Sequence, residues 1–340
     1  MTHGSDGPEV GGRQVAEVGE PALADRCQGA VWGQFVGDAA CLGSHWIYDL
    51  AELARRFPGG LQGFEAPAAG YYHAGKMPGE FTHYGDGALV MLRSVAELGR
   101  FDPADFGRRF VELFGGAYGG YLDHATRETL VHYRAFRAAQ PDAPYAFQDG
   151  ADDDQPATAT RLVPVVIAHL ADGALNEAVT AATRVCQNNG RAVAYMKCHA
   201  LILRRLFQGE KLEGAVLAAG RAMEHDPAYG AELRDKIETA CDSLPLEVGE
   251  VTRRFGQSCP LASSFPAAIH CAIRHDGDFA AAILATAAAG GDSAGRAALI
   301  GAWLGARHGL AGVPAAWRER LAAREEIAAL TDRLVARALS

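Results

Sequence analysis

From Ala22 onward this 340-residue chain repeats its apolar residues at helical spacing and almost nowhere alternates them, which removes most fold classes at once. Val31 and Phe35 stand four apart, with Trp32 and Val36 on the adjoining stripe. Phe106, Phe110 and Leu113 recur at i, i+4 and i+7 behind Asp102-Pro103, a favourable helix start. Further helical stretches are expected over 123–138, 157–171, 174–187, 190–208, 211–225, 229–243, 263–274, 277–289, 293–308 and 315–338. Many are rich in Ala and Leu, both strong helix formers. Pro164 requires its helix to begin near it or to kink there. Convincing period-2 strands are absent, so a doubly wound sheet is disfavoured. The expected fold class is all-α, one many-helix domain over residues 22–340. Residues 1–21, rich in Gly, Pro and charge, read as a flexible N-terminal tail.

Composition narrows the function classes. At 49% hydrophobic and 21% charged, the chain is an ordinary soluble type able to bury a large core. Its 32 basic residues against 41 acidic ones leave a net charge of −9, which argues against a nucleic-acid partner. No run approaches the ~18 apolar residues of a membrane span, and Met1 to Asp6 lack the pattern of a signal peptide. The 7 cysteines include no CxxC pair, so neither a structural zinc site nor a disulfide framework is indicated. A cytoplasmic location is the simplest expectation.

Chemistry concentrates in the segments between helices. Residues 37–49, 70–87, 148–161, 186–191, 257–266 and 290–296 mix Gly or Pro with Asp, Asn, His, Tyr or Arg, and on a helical scaffold such loops build sites. In the first, Asp38, His45 and Asp49 offer a proton acceptor, a pH-tunable base and a hydroxyl or metal ligand. Taken alone, the segment favours the bland role, with Asp38 as a helix cap and Trp46 and Tyr48 in the core. In the second, Asp86 precedes a helix and holds a divalent cation or caps it. Tyr71, Tyr72 and Tyr84 suit a flat ring, or a core. In the last, Gly290-Gly291-Asp292 opens a helix whose N-terminus and Arg296 suit an anion, while Asp292 opposes one. Asp152-Asp153-Asp154 reads as solvated surface or caps, and Asn188 and Asn189 as turn residues.

Taken in order, these segments resemble the ADP-ribosylglycohydrolase family, and within it the crystallin-J branch. Gly29-Ala30-Val31-Trp32-Gly33 to Gly37-Asp38 is similar to the family's opening helix and Gly-Asp turn. Pro78-Gly79-Glu80-Phe81-Thr82 to Asp86 resembles the approach to its metal-binding Thr-Asp-Asp-Thr. Arg161 to Pro164 resembles Met-Arg-x-x-Pro, and Cys186-Gln187-Asn188 stands where Thr-His-Asn is common. Gly290-Gly291-Asp292 and Gly301 to Gly309 resemble the C-terminal Gly-Gly-Asp-x-Asp-Thr helix, and Pro314 and Trp317 stand where the family often has Ile-Pro and Trp.

The resemblance implies an all-α fold and an activity. Catalytic members hold two Mg²⁺ or Mn²⁺ ions on two acidic motifs and cleave the bond at C1″ of ADP-ribose with an activated water. Here Gly85-Asp86-Gly87-Ala88 and Asp292-Ser293-Ala294-Gly295 each keep one carboxylate, and hard cations need several oxygen ligands. The expectation is therefore a metal-poor hydrolase of an N-glycosidic (ribosyl) bond in an ADP-ribosylated or NAD-derived compound. Asp38, His45 and Asp49 would be catalytic. Ser44, His83, Tyr84, Asn188 and Arg296 would contact the ligand, a small molecule carrying ribose or ADP-ribose. Asp86 and Asp292 would hold one Mg²⁺ or Mn²⁺ ion at most, or none, and otherwise pair with Arg296. Two alternatives stay open: a non-catalytic ADP-ribose binder or crystallin-like structural protein, and a tailoring enzyme acting on a ribosylated small molecule. The residues do not specify an oligomeric state.

Overall fold

A computed structural model describes residues 20–171 and 173–340. Among them are sixteen α-helices, and no strand beyond two isolated bridges. In chain order the helices are α1 Leu23–Ala40, α2 Leu50–Arg56, α3 His83–Leu98, α4 Pro103–Gly115, α5 His124–Ala139, α6 Val163–Ala168, α7 Leu175–Cys186 and α8 Gly190–Phe207. After them come α9 Leu212–Met223, α10 Gly230–Asp242, α11 Val248–Phe255, α12 Leu261–Arg274, α13 Phe279–Ala288, α14 Ser293–His308, α15 Ala315–Arg318 and α16 Arg324–Ala338. The all-α expectation is met.

The polar residues of the loops are the start signals of these helices. Asp102 accepts from the amides of Ala104 and Asp105 at 3.0 Å each, with Pro103 opening the first turn of α4. Thr82 caps α3, Asp123 caps α5, Asn189 caps α8, Asp278 caps α13 and Asp292 caps α14. α6 begins at Val163 with Pro164 in its first turn, as the proline demands.

At the centre, α1 and α14 lie antiparallel with their backbones in contact. Gly29 faces Gly305, Gly33 faces Gly301 and Gly37 faces Ala297, so that a methyl added at any of these glycines would land on a carbonyl of the partner helix. Side chains would hold the helices apart at this seam; their absence lets the axes close. α1 is buried on nearly every side, which suits a helix apolar all round. α8, α12 and α13 pack on α14, while α3, α6 and α16 pack around α1 and one another. One large apolar core runs through the helices, with Phe35, Phe106, Phe110, Phe265 and Trp303 fully enclosed.

Several boundaries differ from the sequence expectation. The loop expected from residue 37 begins at Cys41, because Gly37 and Asp38 belong to the seam end of α1. The stretch 157–171 divides into a 3₁₀ turn, Ala159–Arg161, and α6. The stretch 315–338 breaks into α15 and α16. The short helices α2 and α11 lie outside every stretch expected to be helical; seven and eight residues are too few for periodicity to declare itself. The expected tail lies outside the described residues except for Glu20 and Pro21, which hold the Arg26 guanidinium together with the carbonyls of Ala306 and Arg307. All seven cysteines are free and six are buried, as expected of small core hydrophobes. Among the described residues no helix is long and apolar enough to cross a membrane.

The seam carries a direct test. Gly33→Ala is expected to destabilise the chain by about 3 kcal/mol or more, since neither backbone can yield without opening the α1–α14 contact. Gly214→Ala, in α9 with open space at its Cβ position, should be neutral or stabilising by about 0.5–1 kcal/mol. Urea unfolding of both variants distinguishes a packing seam from a simple glycine effect.

Candidate functional site

The antiparallel seam sets the end of α1 beside the start of α14, and a bridge locks the two loops there. The Trp46 amide donates to the Gly291 carbonyl and the Gly291 amide to the Ile47 carbonyl, both at 2.8 Å. Gly290 and Gly291 adopt φ of 74° and 67°, a region glycine enters without penalty. Trp46 enters it too, at φ 61°, although it is bulky and buried. Strain of about 1–3 kcal/mol in such a residue persists only where the surroundings over-determine it. Its indole N–H donates to the Cys259 sulfur at 3.3 Å, and its ring stacks on His45 at 4.3 Å.

His45 belongs to a group of three. His73, from the loop before α3, and His83, the first residue of α3, join it, and all three residues are buried. The His45 and His73 rings lie 5.5 Å apart and those of His73 and His83 5.6 Å apart, both pairs nearly parallel. One nitrogen from each lies within 4.8 Å of the others. Nε2 of His45 and both nitrogens of His73 and His83 have no hydrogen-bond partner. Nδ1 of His45 lies 3.2 Å from the Ala294 amide and 3.6 Å from Asp292 Oδ1. Burial, then the neighbouring His73 and His83, push the His45 imidazole well below its usual range; burial likewise takes His73 down to about 3. Both are neutral near pH 7.

Above the histidines a cleft of about 230 Å³ opens, lined by Trp46, Tyr48, Tyr72, Tyr121, Asp123, His124, Arg127, Gln155 and Cys259. Tyr72 and Tyr121 meet the Trp46 ring edge-on at 4.8 and 5.0 Å. Asp123 caps α5 through the Thr126 amide and brings its second oxygen to 3.4 Å from Nε2 of His83. Burial would raise this carboxyl, but the His83 ring and the Thr126 bonds outweigh it and hold Asp123 below the usual carboxylate range. His124, half-exposed at the lip, contacts Asp153 Oδ2 through Nδ1 at 3.0 Å. Asp153 is buried, and Gln187 and the Gln155 amide fix it in turn. An oriented histidine backed by a buried carboxylate thus faces an aromatic slot.

The residues singled out in the sequence divide between this centre and elsewhere. His45, His83, Tyr84 and Asp292 come together. Tyr84 packs against His83 at 4.0 Å, and its buried hydroxyl has no partner. Ser44 sits beside them, bonded to the Cys41 carbonyl and 3.4 Å from the Ser293 hydroxyl. Asp38 is buried in α1 and spends both oxygens on Thr82, one on its amide at 2.9 Å and one on its hydroxyl at 2.5 Å. Asp49 is exposed and caps α2 through the Ala51 amide. Asp86 binds Lys76 Nζ at 2.6 Å and the Tyr118 hydroxyl at 2.5 Å, and lines a separate, larger cleft of about 640 Å³ with Glu80, Arg93, Arg324 and Glu326. Asn188 is exposed. Arg296 pairs with neither Asp292 nor Asp86: its donors go to the Thr286 hydroxyl and to the carbonyls of Thr286, Gly290 and Gln257, bracing the glycine turn from within.

His73, Tyr121, Asp123 and His124 are not singled out by the sequence, and Asp153 reads there as surface or a cap. His73 lies within the 70–87 loop without a pattern of its own, and Asp123-His124 at a helix start reads first as a cap. Only spatial neighbours distinguish it from a site.

The sequence pattern of the ADP-ribosylglycohydrolase family matches residues 19–340. Crystallin J1A of Tripedalia cystophora is 26% identical over 321 residues, covering 91% of this chain and 96% of the relative. Crystallin J1B of the same organism is 24% identical over 328 residues, covering 92% and 97%. A solved ADP-ribosylglycohydrolase-related protein complex contains a chain that superposes with a TM-score of 0.72 at 24% identity, over 93% of this chain and 99% of that one; it supports the fold.

The burial of Asp38 makes stability depend on pH. Burial, opposed by the Thr82 bonds and reinforced by Asp86, pushes the Asp38 carboxyl up to about 6 from 3.8. His83 also faces it and acts the other way. A carboxyl raised in the folded state contributes stability that is full below about pH 4 and lost as pH rises through about 6, roughly 3 kcal/mol in all. Urea midpoints at pH 5 and 7.5 should differ less for Asp38→Asn than for the parent; equal differences would place this titration elsewhere.

Proposed function

The chain belongs to the ADP-ribosylglycohydrolase family, and on that premise we propose that its aromatic cleft takes a ribosylated small molecule, ADP-ribosylated or NAD-derived, and hydrolyses the N-glycosidic bond at the ribose. The supporting observation is the meeting of Trp46, Tyr72 and Tyr121 with Asp123 and the His124–Asp153 pair in one cleft. The rings provide faces for a base or nicotinamide. Breaking the C1″–N bond places positive charge on the ribose, as at other glycosidic centres. The ionised Asp123 carboxylate favours that charge. His124, held by Asp153, takes a proton from the water that adds to C1″; a departing guanidine nitrogen takes that proton back, whereas nicotinamide leaves neutral and the proton passes to solvent.

The family is often metal-dependent, and the residues here do not fit a pair of Mg²⁺ or Mn²⁺ ions. Such ions need several converging oxygen donors. Asp38 is committed to Thr82, Asp86 to Lys76 and Tyr118, and Asp292 stands alone among histidines as the cap of α14. No step of the proposed reaction passes through those ions.

A second reading, favoured by the crystallin names of the two relatives, is a binder of ADP-ribose or a structural protein without turnover. Titration calorimetry with ADP-ribose followed by turnover of the two N-glycosides ADP-ribosyl-arginine and NAD separates the cases. Hydrolysis of one substrate is expected, with His124→Ala and Asp153→Asn each lowering kcat by about 10²–10⁴ while ADP-ribose affinity changes little. Heat without turnover would establish the binder, and no heat at all would remove both ligand-based readings.

A further inference from the structure

We propose that His45, His73 and His83 form a nitrogen-ligated site for one transition-metal ion of the zinc class, with a coordination position left open. The site goes beyond the proposed hydrolysis, which uses none of these rings.

Three buried imidazoles, four of whose six ring nitrogens meet no polar partner, are not explained by folding alone. Leaving a buried polar atom unpaired is costly, so packed helical domains normally pair such groups or replace them with apolar ones. A bound ion would satisfy one nitrogen on each ring. The three candidate atoms, within 4.8 Å of one another, need an inward movement of about 1 Å to meet an ion at roughly 2.0–2.1 Å from each.

The surroundings supply what ligating histidines ordinarily have. Zinc-bound imidazoles present their second nitrogen to a carboxylate, which fixes the tautomer and ring orientation. Asp123 stands 3.4 Å from Nε2 of His83, leaving Nδ1 of that ring as ligand. Asp292 stands 3.6 Å from Nδ1 of His45, leaving Nε2. Loading the ion requires the His45 proton on Nδ1, which shifts that atom's partner from the Ala294 amide to the Asp292 carboxylate. Trp46, stacked on His45, separates the cluster from the aromatic cleft.

The donor set also selects the ion. Three neutral nitrogens suit Zn²⁺, Co²⁺, Ni²⁺ or Cu²⁺, whereas Mg²⁺ wants oxygen ligands and a nearly complete octahedron. Three protein ligands are the pattern of sites that keep a position free for water or substrate.

The chelator-stripped full-length chain, titrated with Zn²⁺, Co²⁺ and Mg²⁺ salts, provides the test. Zn²⁺ and Co²⁺ are expected to bind at one equivalent and raise Tm, with Co²⁺ giving a visible band of four-coordinate intensity, while Mg²⁺ gives no heat. His73→Gln and His83→Gln should each weaken Zn²⁺ binding by more than the roughly 10–100-fold that loss of an outer hydrogen bond to a ligand costs. His225→Gln, on the exposed surface, should leave it unchanged. Circular dichroism of each variant checks the fold, and wild-type titration stands without any variant. Absence of stoichiometric Zn²⁺ or Co²⁺ binding, or binding that persists in a folded His73→Gln chain, would overturn the proposal. Neither outcome bears on ADP-ribose binding, so the two readings fail separately.

Discussion

The contact on which the rest of the molecule depends is backbone against backbone. Where α1 crosses α14, Gly29, Gly33 and Gly37 meet Gly305, Gly301 and Ala297 with no side chain between them. Close approach gathers many weak dispersion contacts, and it tolerates no added methyl. It also fixes direction and register, because an antiparallel shift by one residue would drive an alanine or larger side chain into a carbonyl. A seam so specified determines which loops meet. The end of α1 must lie beside the start of α14, and the 41–49 and 290–292 loops then bridge through Ile47 and Gly291.

Much of the buried polar chemistry serves this junction rather than a ligand. Arg296 has the composition of an anion grip, yet its guanidinium lies fully enclosed and spends its donors on backbone groups around the glycine turn. Asp38 likewise has the composition of a catalytic acid, and it ties the α1 end to the cap of α3 through Thr82. Each satisfies groups that the turn or the helix start would leave orphaned in the interior. The histidine cluster contrasts with them: its nitrogens lie equally deep, but apart from Nδ1 of His45 and Nε2 of His83 they meet no polar group. Within one buried region, the difference between paired and unpaired polar atoms separates scaffold from candidate site more sharply than residue type does.

This explains how far the sequence can be read. Helical periodicity reveals the fold class and most helix positions, because burial of one stripe leaves a direct trace in residue order. The spacing of Gly29, Gly33 and Gly37 is visible too, but it reads as part of an opening helix until the partner helix is known. The convergence of the 37–49, 70–87 and 290–296 segments is legible from their shared composition. Which of their residues turn inward is not. Asp49 and Asp292 both obey the rule that acids cap helices, and one is exposed while the other is buried beside His45. Burial is set by where the helix start lands in the packed whole, and no local pattern contains that.

The split between the acidic residues decides what chemistry the scaffold favours. Asp86, paired with Lys76 and bonded to Tyr118, belongs to one cleft; Asp123 lines another, with Asp153 behind its His124, and Asp292 lies buried beside His45. A hard cation needs its oxygens from one place, and here they are divided and largely occupied. Around the aromatic cleft the carboxylates instead stand behind imidazoles: Asp153 behind His124, Asp123 near His83, Asp292 near His45. A carboxylate behind an imidazole fixes its tautomer and the direction of its other nitrogen. In the site proposed for the three buried rings the donor atoms are therefore nitrogens, with carboxylates standing behind two of them.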